Sequence, residues 1–392
     1  MSRICFLAGA THLGGGEKSL LELVSGLKER REFGYEPWVL LPKSTGPLIG
    51  ELKRAGIDFD VEVMPEGVLK MSRAAGIENL NSAMRSSPEF LLYLRNIARI
   101  LRRKKAVLIH TNAVKCHLLA TALWPVVRRP ILWHIRDIFA NGPTLSILRG
   151  FARFPQIHWV ANSKATATSF NPAFTSGQVI WNGLDPLTYH PARSRGFARN
   201  LGVSGDAPVV GIVGVLARWK GHPEFIELAR RLVARGSSAH FVIVGDAIYD
   251  TVGETHYREE LEKQVKEAGL TGRLSFTGFR SDVAEVMNGI DLLVHASIRP
   301  EPFGRVIVEA MACETPVVAV AAGGIPEIAE SGKSALLYRA GDVDAKAEAV
   351  ERMLGDADLR KRIAEEGRRV FLEKFTRDVY IQKVAGTYGK LL

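Results

Sequence analysis

Cysteine is scarce in this chain of 392 residues. Its three cysteines, Cys5, Cys116 and Cys313, are scattered and odd in number, with no C-x-x-C pair. That excludes a disulfide framework and a cysteine-based zinc site, and points to reduced thiols in a cytoplasm. Long apolar runs are missing as well, since none reaches the ~20 residues that span a bilayer. The apolar stretch at residues 3–10 is too short for a signal peptide. It leads into Gly14-Gly15-Gly16 as a first strand leads into a loop. No G-x-G-x-x-G fingerprint is present. Lys18-Ser19 is not part of a P-loop, because Glu17 stands where that motif needs glycine and would repel phosphate. There is no repeat of solenoid length and no low-complexity tract. The two D-x-D pairs, Asp58-Phe59-Asp60 and Asp342-Val343-Asp344, coincide with a short strand and with a helix N-cap. Neither is placed to hold a metal diphosphate, so no divalent ion is expected to be required.

What is present suits two domains of ordinary size. The chain is 46% hydrophobic and 24% charged, as soluble globular proteins are. Its net charge of +10 is unevenly placed. Residues 1–186 hold 24 Lys+Arg against 14 Asp+Glu, and the remainder is balanced. Such a field attracts anionic partners: a membrane surface, an acidic glycan or nucleic acid. No nucleic-acid recognition motif accompanies it, so no nucleic-acid partner is expected. Residues 88–105 form an amphipathic helix ending in Arg102-Arg103-Lys104-Lys105. Those cations either offset the helix dipole or form a docking edge for anionic lipid.

Strand patterns at 4–7, 37–41, 59–63, 107–110, 131–135, 158–161 and 178–180 alternate with helical ones. The alternation restarts at 208–214, 241–244, 273–276, 290–294, 316–320 and 334–337. Strands joined by helices imply parallel sheets covered on both faces, which bind ligands beyond the carboxyl ends of their strands. The polar, proline-containing run from Pro186 to Gly196 supplies a linker.

The stretch from Arg299 to Ala312 carries the most chemistry. An apolar strand enters a turn marked by Pro302 and Gly304, and a helix follows. The first N–H groups of such a helix lack intrahelical partners and, with the dipole, suit a phosphate. Glu309 lies on the apolar side of that helix, where a carboxylate needs donors such as the two hydroxyls of a ribose. Glu301, in the mouth of the turn, is placed to accept from a second sugar. The simplest alternative is a buried helix whose glutamates pair with arginines.

With Glu301-Pro302-Phe303-Gly304 between the two carboxylates and Gly323-Gly324-Ile325-Pro326-Glu327 after them, the stretch resembles the E-x7-E element of glycosyltransferase family 4. The resemblance implies the GT-B fold, two facing Rossmann-like α/β domains with a deep cleft. It assigns residues 1–186, with a returning helix at 375–392, to the acceptor and residues 187–374 to a nucleotide-sugar donor. Phe303, Gly304, Arg305 and Glu309 are then donor-binding, and Glu301 positions the sugar. Gly14-Gly15-Gly16-Glu17 is similar to the family's G-G-x-E turn, which gives Gly15 and Gly16 a donor-side role; a tight strand-to-helix turn is the other reading. His134 looks like the family's histidine facing the donor sugar. Arg136 is read as directed at phosphate or at Asp137.

Asn162-Ser163 and Asn182-Gly183-Leu184-Asp185 resemble the N-S and N-G-V-D turns. Gly214 to His222 resembles G-R-L-x-x-x-K-G, whose Arg and Lys stabilise the departing diphosphate. Lys220 matches, but Val215 occupies the arginine's place, and Arg218 is the substitute candidate. Gly278, Phe279 and Arg280 resemble the nucleobase-pocket turn. The implied activity is retaining, metal-independent transfer of a hexosyl group from a UDP- or GDP-sugar to a glycan or lipid-linked acceptor. Cell-envelope polysaccharide or lipopolysaccharide synthesis fits, in the cytoplasm or peripherally on the inner membrane face. A GT-B-type nucleotide-sugar epimerase and a non-catalytic nucleotide-sugar-binding protein are the alternatives, the latter because of Val215.

Overall fold

The computed structural model describes residues 1–69, 88–171, 173, 178–203, 205–247 and 256–392. The chain divides into two units, Met1–Gly183 with Arg377–Leu392, and Leu184–Thr376. The outgoing boundary falls ahead of residue 186 because Leu184 already belongs to the second unit. Its N–H bonds the Phe375 carbonyl at 2.9 Å, so the departing and returning stretches lie side by side.

The first unit carries β1 (Ser2–Leu7), β2 (Tyr35–Leu41), β3 (Asp58–Val61), β4 (Ala106–Thr111), β5 (Ile131–Ile135), β6 (Ile157–Ala161) and β7 (Gln178–Val179). They form one parallel sheet in the order β3-β2-β1-β4-β5-β6-β7. Period-2 alternation explains how both faces are covered. Cys5, Leu7, Trp38 and Leu40 join one core cluster, and Ile4, Phe6, Val39 and Leu41 the other. On the second face the helix Gly15–Glu29 buries Leu20, Leu23, Val24 and Leu27 at helical spacing. The last helix, Arg377–Leu391, adds Tyr380, Ile381, Val384 and Tyr388 to the same cluster. Each such side chain contributes about 1.5–3 kcal/mol on burial. The chain thus returns to its first unit in the helix Arg377–Leu391. The helix expected to reach residue 105 ends at Arg103, and Lys105 adopts a left-handed conformation.

The second unit repeats the scheme with β8 (Val209–Val213), β9 (His240–Val244), β10 (Leu274–Gly278), β11 (Leu292–His295), β12 (Val317–Val320) and β13 (Leu336–Tyr338). Its order is β10-β9-β8-β11-β12-β13, again parallel. The strand β10 runs two residues past its expected end at 276. A register shift after Phe276 carries Gly278 into pairing with the end of β9. In both sheets the order reverses beside the first strand of the unit. Ligands of doubly wound sheets bind at such a reversal, beyond the carboxyl ends. In the second unit the loops there are those after β8 and after β11.

Candidate active site

The loop after β8 ends in a 3-10 turn, Arg218–Lys220, and the loop after β11 runs from Ala296 to Gly304. Two close approaches lock them together. Gly221 has φ +77°, and a Cβ there would lie 1.9 Å from the Ala296 carbonyl oxygen. The Ile298 N–H donates to the Trp219 carbonyl at 2.9 Å. From the other side Gly323 lies so near that a Cβ would be 2.2 Å from the Glu301 carbonyl oxygen. The Gly324 N–H donates to that same oxygen at 2.9 Å. The glycines of the G-G-I-P-E stretch therefore seat the glutamate loop.

Glu301 is the centre of this arrangement and is only 7% exposed. Its Oε1 accepts from Lys220 Nζ at 2.7 Å and from His295 Nε2 at 2.8 Å. Ser297 Oγ donates to the same oxygen. All three of these donors meet Oε1, and no described residue donates to Oε2. Burial works to raise the pKa of this carboxyl, but Lys220 and His295 outweigh it and hold the group far below the usual carboxylate range. Lys220 is itself largely enclosed, with Nζ 4.3 Å from the centre of the Trp219 ring. An ammonium has three donors, so one can serve Glu301 while others meet a phosphate.

The helix Arg305–Ala312 starts at Gly304, whose left-handed backbone supplies no side-chain cap. A helix start without a side-chain cap is the kind of end that takes an anion, and here the Ile307 N–H already bonds the Gly304 carbonyl at 3.0 Å. Phe303, buried against Phe375 with ring centres 6.0 Å apart, fixes the turn. Glu309 is 4% exposed. Its Oε1 accepts from Arg305 Nε at 2.8 Å and from the Tyr189 hydroxyl at 3.3 Å. Neither glutamate faces bulk water. The pairing of Glu309 with Arg305 is the arrangement of the simpler alternative. It leaves Oε2 without a donor among the described residues, so a diol still has an acceptor there.

Arg218 is placed apart from this cluster. Its guanidinium bonds Glu260 at 2.7 Å, lies 4.8 Å from the Tyr257 ring centre and is about half exposed. Gly278 ends β10 with φ +71°, and Phe279 beside it is 48% exposed. Arg280 is held by Asp282.

In the first unit Gly15 and Gly16 open the helix after β1, and nothing lies within 4 Å of where a Cβ would be. A ligand can therefore approach that helix end closely. His134 sits inside β5 and is fully buried. Burial first, then Arg136 and His110, keep its ring neutral. Its Nδ1 lies 3.3 Å from His110 Nε2 and 3.3 Å from Arg136 Nη2. The ring thus has no exposed surface, and its polar link outward runs through Arg136. Asn182, in the N-G-L-D turn, accepts from Arg136, and Ser163 caps the helix Lys164–Phe170. The expected lipid-docking edge is partly occupied. Lys104 pairs with Asp58 and Asp60, Arg103 with Asp60, and Arg102 bonds the Val126 carbonyl. Those pairs also account for the first D-x-D, while Asp342 caps the helix Val343–Gly355 as expected. Among the described residues no group of three His, Cys, Asp or Glu could hold a metal ion. No described helix is long and apolar enough to cross a membrane.

Sequence reasoning missed His295, Ser297 and Tyr189. His295 and Ser297 sit six and four residues before Glu301, near enough to have been weighed with it. Tyr189 is 120 residues from Glu309, and no local signal marks it.

Comparison with known proteins bears on this arrangement directly. Residues 196–370 match the family model for "Glycosyl transferases group 1". A 2-deoxystreptamine N-acetyl-D-glucosaminyltransferase of Streptomyces fradiae is 38% identical over 164 residues, 41% of this chain and 37% of that one. The lipopolysaccharide core biosynthesis glycosyltransferase LpsE of Rhizobium meliloti is 33% identical over 189 residues, 47% of this chain and 52% of that one. The matched stretches thus span about half or less of these relatives' own length. Among solved structures, Anabaena HepE in complex with UDP-glucose superposes with a TM-score of 0.84 at 28% identity, covering 100% of both chains. The lipopolysaccharide outer core galactosyltransferase WaaB has the same fold, with a TM-score of 0.69 at 15% identity and 100% of both chains covered.

Proposed function

We propose that this chain, whose residues 196–370 match the group 1 glycosyl transferases and whose fold is GT-B, transfers a hexosyl group, with retention, from a nucleoside-diphosphate sugar to a glycan or lipid-linked acceptor of the cell envelope. The observation that carries this reading is the convergence of Lys220, His295 and Ser297 on one oxygen of the buried Glu301, beside an uncapped helix end. The C1–oxygen bond of the donor breaks and its electron pair goes to the diphosphate. Lys220 and the amides after Gly304 stabilise the charge that grows there, preorganised and partly shielded from water. The acceptor oxygen bonds C1 and its proton passes to a phosphate oxygen. Glu301 holds the sugar through Oε2, and Glu309 holds the ribose through its own Oε2. Gly278 and Phe279 border the base, and Gly15 and Gly16 admit the substrate's phosphate side. His134 acts through Arg136. The UDP-glucose bound by HepE supports a uridine donor. The relation to LpsE and the basic excess of residues 1–186 support an envelope acceptor at an anionic surface.

A panel of UDP-, GDP- and ADP-sugars in a thermal-shift assay, with and without EDTA, tests the reading. One donor is expected to raise the melting temperature in both conditions and to be hydrolysed slowly without acceptor, releasing the retained anomer. If no nucleotide-sugar shifts the transition, the reading fails. Val215 and the turn of Arg218 toward Glu260 favour a second reading, a nucleotide-sugar-binding protein without transfer. Binding with neither hydrolysis nor transfer would establish that one instead.

His295 is the positioning residue of this proposal. Its Ala variant should lose one hydrogen bond to a charged group, so kcat for donor hydrolysis falls about 10- to 100-fold. UDP affinity should stay unchanged, and His295→Gln should restore most of the rate. Equal rates in wild type and His295→Ala would remove the role.

A further inference from the structure

We infer that Arg136 is the anion-binding residue of the first unit and takes an oxyanion, a phosphate or carboxylate, carried by the acceptor. The inference rests on the glycosyl-transfer reading above and adds to it a chemical class of acceptor. Arg136 follows β5 directly, at the carboxyl edge of the sheet, one strand from the reversal beside β1. Doubly wound sheets take their ligands along that edge. The side chain is 92% buried, being 8% exposed.

All its partners are neutral. It donates to Asn182 Oδ1, to the Tyr380 hydroxyl at 2.9 Å and to His134 Nδ1 at 3.3 Å. Its Nε is buried with no acceptor. No described Asp or Glu pairs with it, and Asp137, the next residue, is not among its partners. The choice between phosphate and Asp137 is thereby narrowed to an external anion. A buried cation without a counter-charge is costly, and proteins usually pair it or neutralise it. A guanidinium cannot lose its proton, so a ligand is the remaining source of compensation.

The surroundings hold the fork ready for one. The Tyr388 hydroxyl lies 2.6 Å from His110 Nδ1, and His110 Nε2 reaches His134 Nδ1. This run of neutral groups fixes the histidines, and His134 then sets the angle of the guanidinium. Nε–H, the guanidinium donor left without an acceptor, is then the one that meets a ligand oxygen, and a charge-assisted bond of that kind suits an oxyanion. The basic excess of residues 1–186 draws anions toward the same unit.

Calorimetric titration of inorganic phosphate, and separately of acetate, into UDP-saturated protein at constant ionic strength tests this. Wild type should bind one of the two anions, which tells a phosphate acceptor from a carboxylate one. In R136Q that affinity should fall about 10- to 100-fold, with UDP affinity unchanged. R136K, which keeps the charge without the fork, should fall between them and serves if R136Q does not fold. Equal anion binding in the variants, or none in wild type, would overturn the inference. So would loss of UDP affinity in R136Q, which would assign the arginine to the donor. Failure of wild type to bind UDP or any other nucleotide would strike the glycosyl-transfer reading, while the anion comparison could still be read on the free protein.

Discussion

Lys220→Ala is expected to lower kcat for donor hydrolysis or transfer about 10²- to 10³-fold, the usual cost of removing one preorganised donor from a developing anion. The loss should fall on kcat more than on nucleotide affinity, because the charge grows as the bond breaks. The substitution has a second effect. Glu301 keeps His295 and Ser297 but loses the cation that, with His295, holds its pKa down against burial. Breaking a buried ion pair can cost about 3–5 kcal/mol of stability, and the two remaining donors should keep the loss below that. Lys220→Arg separates the effects, since it retains charge and so should recover stability more fully than rate. Rapid-quench kinetics together with thermal unfolding provide both readouts. An unaltered kcat in a folded Lys220→Ala protein would leave the proposed role of this ammonium without support.

Glu309→Ala carries the second large effect, on binding instead of turnover. Two hydrogen bonds from a diol to a carboxylate amount to about 3–6 kcal/mol at most, or roughly 10²- to 10⁴-fold in Kd for UDP. Because Arg305 donates to Oε1 of the same group, the variant also leaves a largely buried guanidinium without its carboxylate. Arg305→Ala paired with Glu309→Ala in a double-mutant cycle isolates that part. Calorimetry with UDP measures the remainder. Wild-type affinity in the Glu309→Ala protein would overturn the ribose assignment.

Much of this architecture was legible in the chain. Thirteen apolar segments separated by helical ones correspond to the thirteen strands among the described residues, with ends differing by a few positions. The differences have local causes: β10 runs on through a register shift, and β3 starts at Asp58 because Lys104 and Arg3 sit against its carboxylates. Glu301, Lys220, Gly304 and Glu309 stand out in the chain because a carboxylate on an apolar helix face and a glycine at a helix start are unusual there, and the structure buries both glutamates and sets Lys220 against Glu301. Their partners were harder to see. Tyr189 meets Glu309 only after the chain has folded back across 120 positions. His134 was read as facing a sugar because it stands near a strand end. Both faces of β5 are covered, so its ring is buried, and Arg136, two residues on and just past the end of the strand, is the side chain at the edge. Arg218 looked like a stand-in for the missing arginine by spacing alone, and Glu260, far along the chain, turns it elsewhere.

The return of the last helix to the first unit also governs the order in which the molecule can be made. Leu184–Thr376 is one uninterrupted stretch and can complete its sheet while the ribosome is still translating. The earlier-synthesised unit cannot. Its second face stays incomplete, with the Gly26 side of the first helix, Tyr35 and His110 lacking their partners, until Ile381 and Tyr388 have emerged. Nascent chains stalled near residue 376 should therefore carry a finished second sheet beside an exposed apolar face, the kind of surface that holdase chaperones bind.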